Sequence, residues 1–250
     1  MKRPIARIPA AALRAIGAAA RDRRAALLPA LALALGTAAT PAAARIEHDA
    51  AIWLNATVMG PIEGRLVFFG EVQPRISDHA SRVSAVIVRP AIGWRVSKAL
   101  TVYQGYAHIV EPRDGAPDRA EDRLFQQVTW NVGRIGRLEV QSRSRLEQRW
   151  RSDGDGMAIR ARQMLRLEQP LARGDRRLAA LGSVEAFVGL KSADWGGISG
   201  FDQLRTFIGL EIPLPGTSTI EAGYLNQWRD AAGARSDMAH VASIALFLRL

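Results

Sequence analysis

The short stretch ISDHAS (76–81) holds the residue types of a hydrolytic site: Asp78, His79 and Ser81. On an extended chain, a His two residues from a Ser points the same way. The imidazole can then take the hydroxyl proton and leave an oxygen nucleophile. Asp78 would orient that ring only where the chain folds back. Such a pair would act on an ester or amide of a phospholipid or lipopolysaccharide. The stretch reads as a loop, and residue types this common recur by chance, so a solvated loop is the plainer reading of His79 and Ser81.

His48 and His108 have no second ligand-type residue at useful spacing, His240 at the start of the last strand reads as a capping or interfacial hydrogen bond rather than a catalyst, and the chain has no cysteine. No metal site and no disulfide is therefore expected. GGISG (196–200) precedes a strand rather than a helix, so it is not a phosphate cradle, and no cofactor is expected. Asp202, Gln203 and Arg205 open the next strand and read as a rim hydrogen-bond network, or more sharply as solute contacts at a pore mouth.

A larger constellation is made of charge. In LEVQSRSRLEQRW (138–150), Glu139, Gln141, Arg143, Arg145, Glu147 and Arg149 occupy alternate positions. Leu138, Val140, Ser142, Ser144, Leu146, Gln148 and Trp150 occupy the others. One face of that strand is a charged ladder. In the same phase, Arg65, Glu71, Arg75, Arg89, Arg95 and Arg123 come before it. Arg160, Arg162, Arg166, Glu168, Glu185, Arg205, Glu211, Glu221 and Arg249 come after it. Lysine interrupts this choice of arginine only at Lys191, near a strand end. Water-facing surfaces mix in lysine, whereas arginine suits sites where a planar fork bridges carboxylates in fixed geometry. The ladder is expected to line an enclosed, wet lumen in which Arg and Glu of neighbouring strands interleave. Unpaired, the same charges would be costly to enclose.

Positioning such a ladder requires strands. Period-two alternation marks eleven segments, roughly 51–59, 64–75, 82–96, 100–111, 122–134, 137–150, 157–170, 178–190, 201–214, 218–229 and 238–250. Many exceed the usual soluble strand of about 5–6 residues and match the ~9–11 that cross a bilayer at a tilt. Connections alternate short and long, with 60–63, 97–99, 134–136 and 215–218 against 76–81, 111–121, 192–200 and 230–237. That is the habit of an outer-membrane barrel with tight periplasmic turns. The last strand, HVASIALFLRL, keeps Ala242, Ile244, Leu246, Leu248 and Leu250 on one face, like a barrel-assembly signal with Leu in place of the usual Phe. Trp53, Trp94, Trp130, Trp150 and Trp228 lie in or at the ends of strands, and those on the apolar face suit aromatic girdles.

The expected fold is all-β: a single antiparallel up-and-down transmembrane β-barrel of about twelve strands, with ten as the alternative. An even count is the rule for bacterial barrels. Residues 1–44 read as a signal peptide and 45–250 as the barrel domain. The leader carries seven basic residues against Asp22 alone, then an apolar run, then a small-residue cleavage site ending at Ala44. Much of the net charge of +10 therefore belongs to one end piece, and nucleic acid is not an expected partner.

Several fragments carry a family resemblance: RLEQRW (145–150), MLRLEQPL (164–171), GFDQLRTFIGLEIPL (200–214), IEAGYLNQW (220–228) and the later His240. VRPAIGW (88–94) and YQGYAHI (103–109) fit earlier paired strands. Their order resembles the bacterial domain-of-unknown-function family numbered twenty-four-ninety. The resemblance implies an outer-membrane barrel and supplies no reaction. The expected partners are outer-membrane lipids, the barrel-assembly machinery and a small anionic solute. The expected role is a porin-like channel or structural barrel of a Gram-negative outer membrane, lined by Arg and Glu and weakly anion-preferring. The alternatives are a lipid hydrolase using His79 and Ser81, and a soluble periplasmic barrel holding an apolar ligand.

Overall fold

The computed structural model describes residues 45–171, 178–231 and 235–250. The expected signal segment, its cleavage point at Ala44 and the turn at 172–177 lie outside the described residues. The rest is strand and turn: β1 (Arg45–Glu63), β2 (Leu66–Ser77), β3 (Arg82–Arg95), β4 (Leu100–Glu111), β5 (Arg119–Ile135), β6 (Leu138–Arg151), β7 (Ala158–Pro170), β8 (Ala179–Lys191), β9 (Gly200–Pro213), β10 (Thr219–Ala231) and β11 (Arg235–Arg249). Each strand pairs with its sequence neighbours, and β11 closes on β1.

The strand count corrects the expectation of twelve or ten. Residues 45–50 add no further strand; they extend β1, which runs 19 residues. An odd number of up-and-down strands leaves the first and last running the same way. Closure is therefore parallel, in continuous register from Arg45 opposite Arg235 to Met59 opposite Arg249, and the sheet is mixed rather than wholly antiparallel. The start of β1 shares a rim with connections 78–81, 112–118, 152–157 and 192–199. Turns 64–65, 96–99, 136–137 and 214–218 share the other rim with the end of β11. The contrast in length is weaker than alternation suggested, because β10 and β11 take up most of the expected loop at 230–237.

One phase of every strand faces the enclosure. In β6, Arg145 and Glu147 are buried while Ser144, Leu146 and Trp150 between and beside them are exposed. In β11, Val241 is buried while Ala242, Ile244, Leu248 and Leu250 are exposed. The outward phase is mostly aliphatic: Leu54, Val72, Val88, Ile92, Val102, Leu124, Val128, Ile208, Leu210 and Ile212 are all exposed. Ser142, Ser144 and Gln148 sit poorly in such a wall, and lateral hydrogen bonds account for them. The Gln148 amide donates to Gln126 (3.0 Å) and the Gln126 amide to Gln104 (3.0 Å). Gln163 donates to Ser142 at 2.8 Å and accepts from Ser144. A ladder across β4–β7 thus satisfies groups that an apolar medium would penalise.

Exposed aromatics mark both ends of the outward face. Trp94 and Trp130 lie towards the short-turn rim, and Trp150 and Tyr106 towards the other. Asp122, the partner of Trp150, lies eight residues before Trp130 on β5. At about 3.3 Å per residue and a tilt of about 40°, the belts are roughly 20 Å apart along the axis. Trp53 does not join them; it is buried inside.

The inward phase is not uniformly charged, which sequence phase alone did not reveal. Ala85, Ile87, Ala107 and Ile109 form one apolar cluster, and Phe69, Ala91 and Phe125 another. Phe125 is wholly buried and fits because Gly105, opposite it on β4, has no side chain. A Cβ there would come within 2.1 Å of the ring. Gly105→Ala should therefore destabilise the barrel by about 1–3 kcal/mol, the cost of overpacking a filled core. Urea unfolding of the refolded chain measures this; an unchanged midpoint would mean that Phe125 is free to move.

Candidate functional site: a charged lumen

Side chains from β6, β7, β8 and β9 form one continuous chain of charge inside the wall. Glu147 is 1% exposed. It accepts from Arg160 (3.0 and 2.7 Å) and from Arg162 (2.7 Å). Arg162 continues to Glu185 at 3.0 Å, and Arg143 reaches the same Glu185 oxygen at 2.9 Å. Arg160 also donates to Asp202 at 2.9 Å. Two of these links, Arg143 to Glu185 and Arg160 to Asp202, skip a strand, so they cross the enclosed space rather than run along the wall. Shared forks of this kind offset the desolvation of both charges, which an isolated pair seldom does.

Two smaller groups flank this chain. Glu121 accepts from Arg123 (2.8 Å) and Arg149 (2.6 Å), and Arg89 is paired with Glu71. Towards the short-turn rim the balance reverses: Arg166 serves Glu221 (2.9 Å), Glu211 (3.2 Å) and Glu168 (3.5 Å). Elsewhere in the lumen, cations exceed anions. Among the described residues of the central lumen, Arg75, Arg89, Arg123, Arg143, Arg145, Arg149, Arg160, Arg162 and Arg205 face Glu71, Glu121, Glu147, Glu185 and Asp202, while Arg119 and Arg151 nearer the rim pair with Glu111 and Asp153. Nine guanidiniums against five carboxylates leave a positive surplus in a walled space.

Part of that surplus rests on aromatic rings. Arg145 lies over Phe125 at 4.3 Å, and Arg160, Arg162 and Arg205 lie over Phe187 at 5.1, 4.5 and 4.7 Å. Ring faces stabilise guanidinium without neutralising it. Phe125, Phe187 and Ile87 are lumen residues that sequence reasoning missed, and Trp53, singled out there with the strand tryptophans, lies inside. The available signal was phase: Phe125 alternates with Arg123 and Gln127, and Phe187 follows Glu185 by two.

Most of the lumen candidates do converge on this enclosure: Glu71, Arg89, Arg123, Arg143, Arg145, Glu147, Arg160, Arg162, Arg166, Glu168, Glu185, Arg205, Glu211 and Glu221. Arg65 is the exception. It occupies the exposed two-residue β1–β2 turn, where Gly64 takes a left-handed φ of 54°, and so projects from the rim. Glu139 lies near the short-turn rim, 2.6 Å from Arg134. Arg95 is exposed at the end of β3. Asp202, Gln203 and Arg205 lie inside, as parts of the charged network.

The ISDHAS segment forms the β2–β3 turn. Asp78, His79 and Ala80 all take left-handed φ near 57°, held by the Asp49 carboxylate, which accepts from the N–H groups of Asp78 (3.2 Å) and His79 (2.9 Å). The Ser81 hydroxyl donates to the Asp78 carbonyl at 2.6 Å, not to His79. His240 meets His48 at 3.0 Å and Tyr224 at 2.6 Å on the outer face, and His108 meets Asp122 at 2.8 Å. No cluster of three metal-type ligands occurs among the described residues. Beyond the end of β6, hydrogen bonding from Arg151 holds the Asp153 carboxyl below its ordinary range.

Removing the shared anion should be far worse than removing a rim partner. Glu147→Gln leaves Arg160 and Arg162 short of a counter-charge at a dry site and should cost about 3–5 kcal/mol. Glu111→Gln, at the half-exposed pair with Arg119, should cost under about 1 kcal/mol. Comparative urea or thermal unfolding tests the contrast; equal losses would show that Glu147 is solvated.

The model of a family described as "Protein of unknown function (DUF2490)" matches residues 50–238, which covers the wall from β1 into β11. An uncharacterized protein of Methylorubrum extorquens is 42% identical over 208 residues, spanning 83% of this chain and 91% of its own length. No solved structure matches. Together with the closed all-β wall, these matches establish that the chain belongs to the DUF2490 family.

Proposed function

We propose that the chain is a small outer-membrane β-barrel of a Gram-negative bacterium, closed at rest, whose lumen favours anions when it conducts. The observation that carries this reading is the inversion of polarity across the wall. Charged groups with little accessible surface are enclosed, while aliphatic side chains face outwards between two aromatic belts. A water-soluble barrel has the reverse arrangement. The belt spacing of roughly 20 Å is near the ~25 Å apolar band of outer-membrane barrels.

Closure at rest follows from Phe125, Phe187 and Glu147, which point inwards yet have 0–1% of their surface accessible. A water-filled pore at their level would leave them in contact with solvent. Conduction therefore needs side chains to move, and the surplus of guanidinium makes anions the favoured passengers.

Membrane insertion is read by fractionation. The expressed chain is expected in the outer-membrane fraction, with heat-modifiable migration in gels; a detergent-free soluble barrel would contradict the proposal. Epitopes placed in connection 112–118 should be reachable on intact cells, whereas epitopes in turn 96–99 should not. In planar bilayers, rare steps with anion preference are expected. Cation preference, or no steps at all, would remove the transport part of the reading.

A further inference from the structure

Two lumen arginines make no ion pair within 4.0 Å among the described residues, although Glu185 lies opposite Arg205 in register, and both lie over the same ring. Arg75 on β2 stands 3.9 Å from the centroid of Trp53, and Arg205 on β9 stands 4.8 Å from it. Three pairing steps separate β9 from β1 around the wall, so this contact closes across the lumen. The geometry keeps the two guanidinium carbons within about 9 Å of each other.

Their hydrogen-bond partners are neutral amides. Arg75 donates to Gln73 through Nε (3.2 Å) and Nη2 (2.8 Å). Arg205 donates to Gln227 through Nε at 3.1 Å. An amide satisfies an N–H without cancelling the charge. Two like charges close together in a confined space are expensive unless a counter-charge joins them. Arg145 differs: it is 5% exposed and bonds the Gln127 amide at 2.9 Å, but its Nη1 lies 3.7 Å from the Glu147 carboxylate.

Acceptor geometry decides which counter-charge fits. Arg205 Nη2 also reaches the Gln203 amide oxygen at 3.0 Å, so Nη1 is the edge that each guanidinium offers to the oxygens of one anion. The buried indole floor excludes bulk water and strengthens the attraction. We propose that Arg75 and Arg205, set over Trp53, form a binding site for a small oxyanion of the phosphate class within the lumen. The site rests on the barrel reading above and adds a named occupant to it.

The test uses the full chain folded into detergent micelles, titrated with inorganic phosphate against sodium chloride at equal ionic strength. Wild type should gain thermal stability in a saturable way with phosphate, and gain less with chloride. Arg75→Gln should keep or raise the midpoint in phosphate-free buffer, because it removes an uncompensated charge. It should also weaken the phosphate response at least tenfold. Arg205→Gln probes the same pair from β9, which covers the case in which Arg75→Gln does not refold. A wild-type response no greater than that to chloride, or an undiminished response in a folded variant, would overturn the site. Solubility of the expressed chain without detergent would sink the membrane reading but leave this titration interpretable, so the two failures are distinguishable.

Discussion

Glu147 shows what the rest of the molecule must satisfy. It is an enclosed carboxylate held by two guanidinium forks from the neighbouring strand. A charge taken out of water must find its opposite at hydrogen-bonding distance, or the fold loses several kcal/mol. Here the partners come from β6, β7, β8 and β9 at once, and strand-skipping links require the sheet to curve until those strands face one another. The wall closes the space that the charges need, and the charges fill the space that the wall encloses.

That mutual requirement limits what can pass through. Aromatic rings under Arg145, Arg160, Arg162 and Arg205 fill volume that water would otherwise occupy. Carboxylates gather towards the short-turn rim around Arg166, while uncompensated guanidiniums gather in the other half. The lumen is thus polarised along its axis, and the proposed oxyanion site lies in the half that holds Trp53. The proposed anion pathway differs from a purely structural barrel only in how readily these packed side chains move.

Strand positions and phase were legible in the sequence because side-chain alternation is a local property. All eleven segments are present, and the two residues that β6 buries, Arg145 and Glu147, belong to the alternate set that its letters single out. Parity was not legible. Residues 45–50 look the same whether they start a new strand or lengthen β1, and only closure against β11 decides. Phase put Phe125 and Phe187 on the inward face with Arg123 and Glu185, but following only the charged positions overlooked them and carried Arg65 inwards from a turn. Ser142, Ser144 and Gln148 looked misplaced because their partners lie on other strands, where single-strand alternation cannot reach. The His79 and Ser81 pair met a different obstacle: three consecutive left-handed residues direct the Ser81 hydroxyl to a backbone carbonyl.

The absence of native cysteine allows the orientation of the wall to be read directly. Single cysteines at Ile92, Val128, Leu146 and Ile208, and at Gln127, Thr57 and Gln227, can carry a fluorophore in vesicles containing brominated lipid. The account predicts strong quenching by acyl-chain bromine at the first four positions and little at the last three. Quenching of the second set with protection of the first would mean that charge lies outside and the aliphatic rows within, and would contradict it.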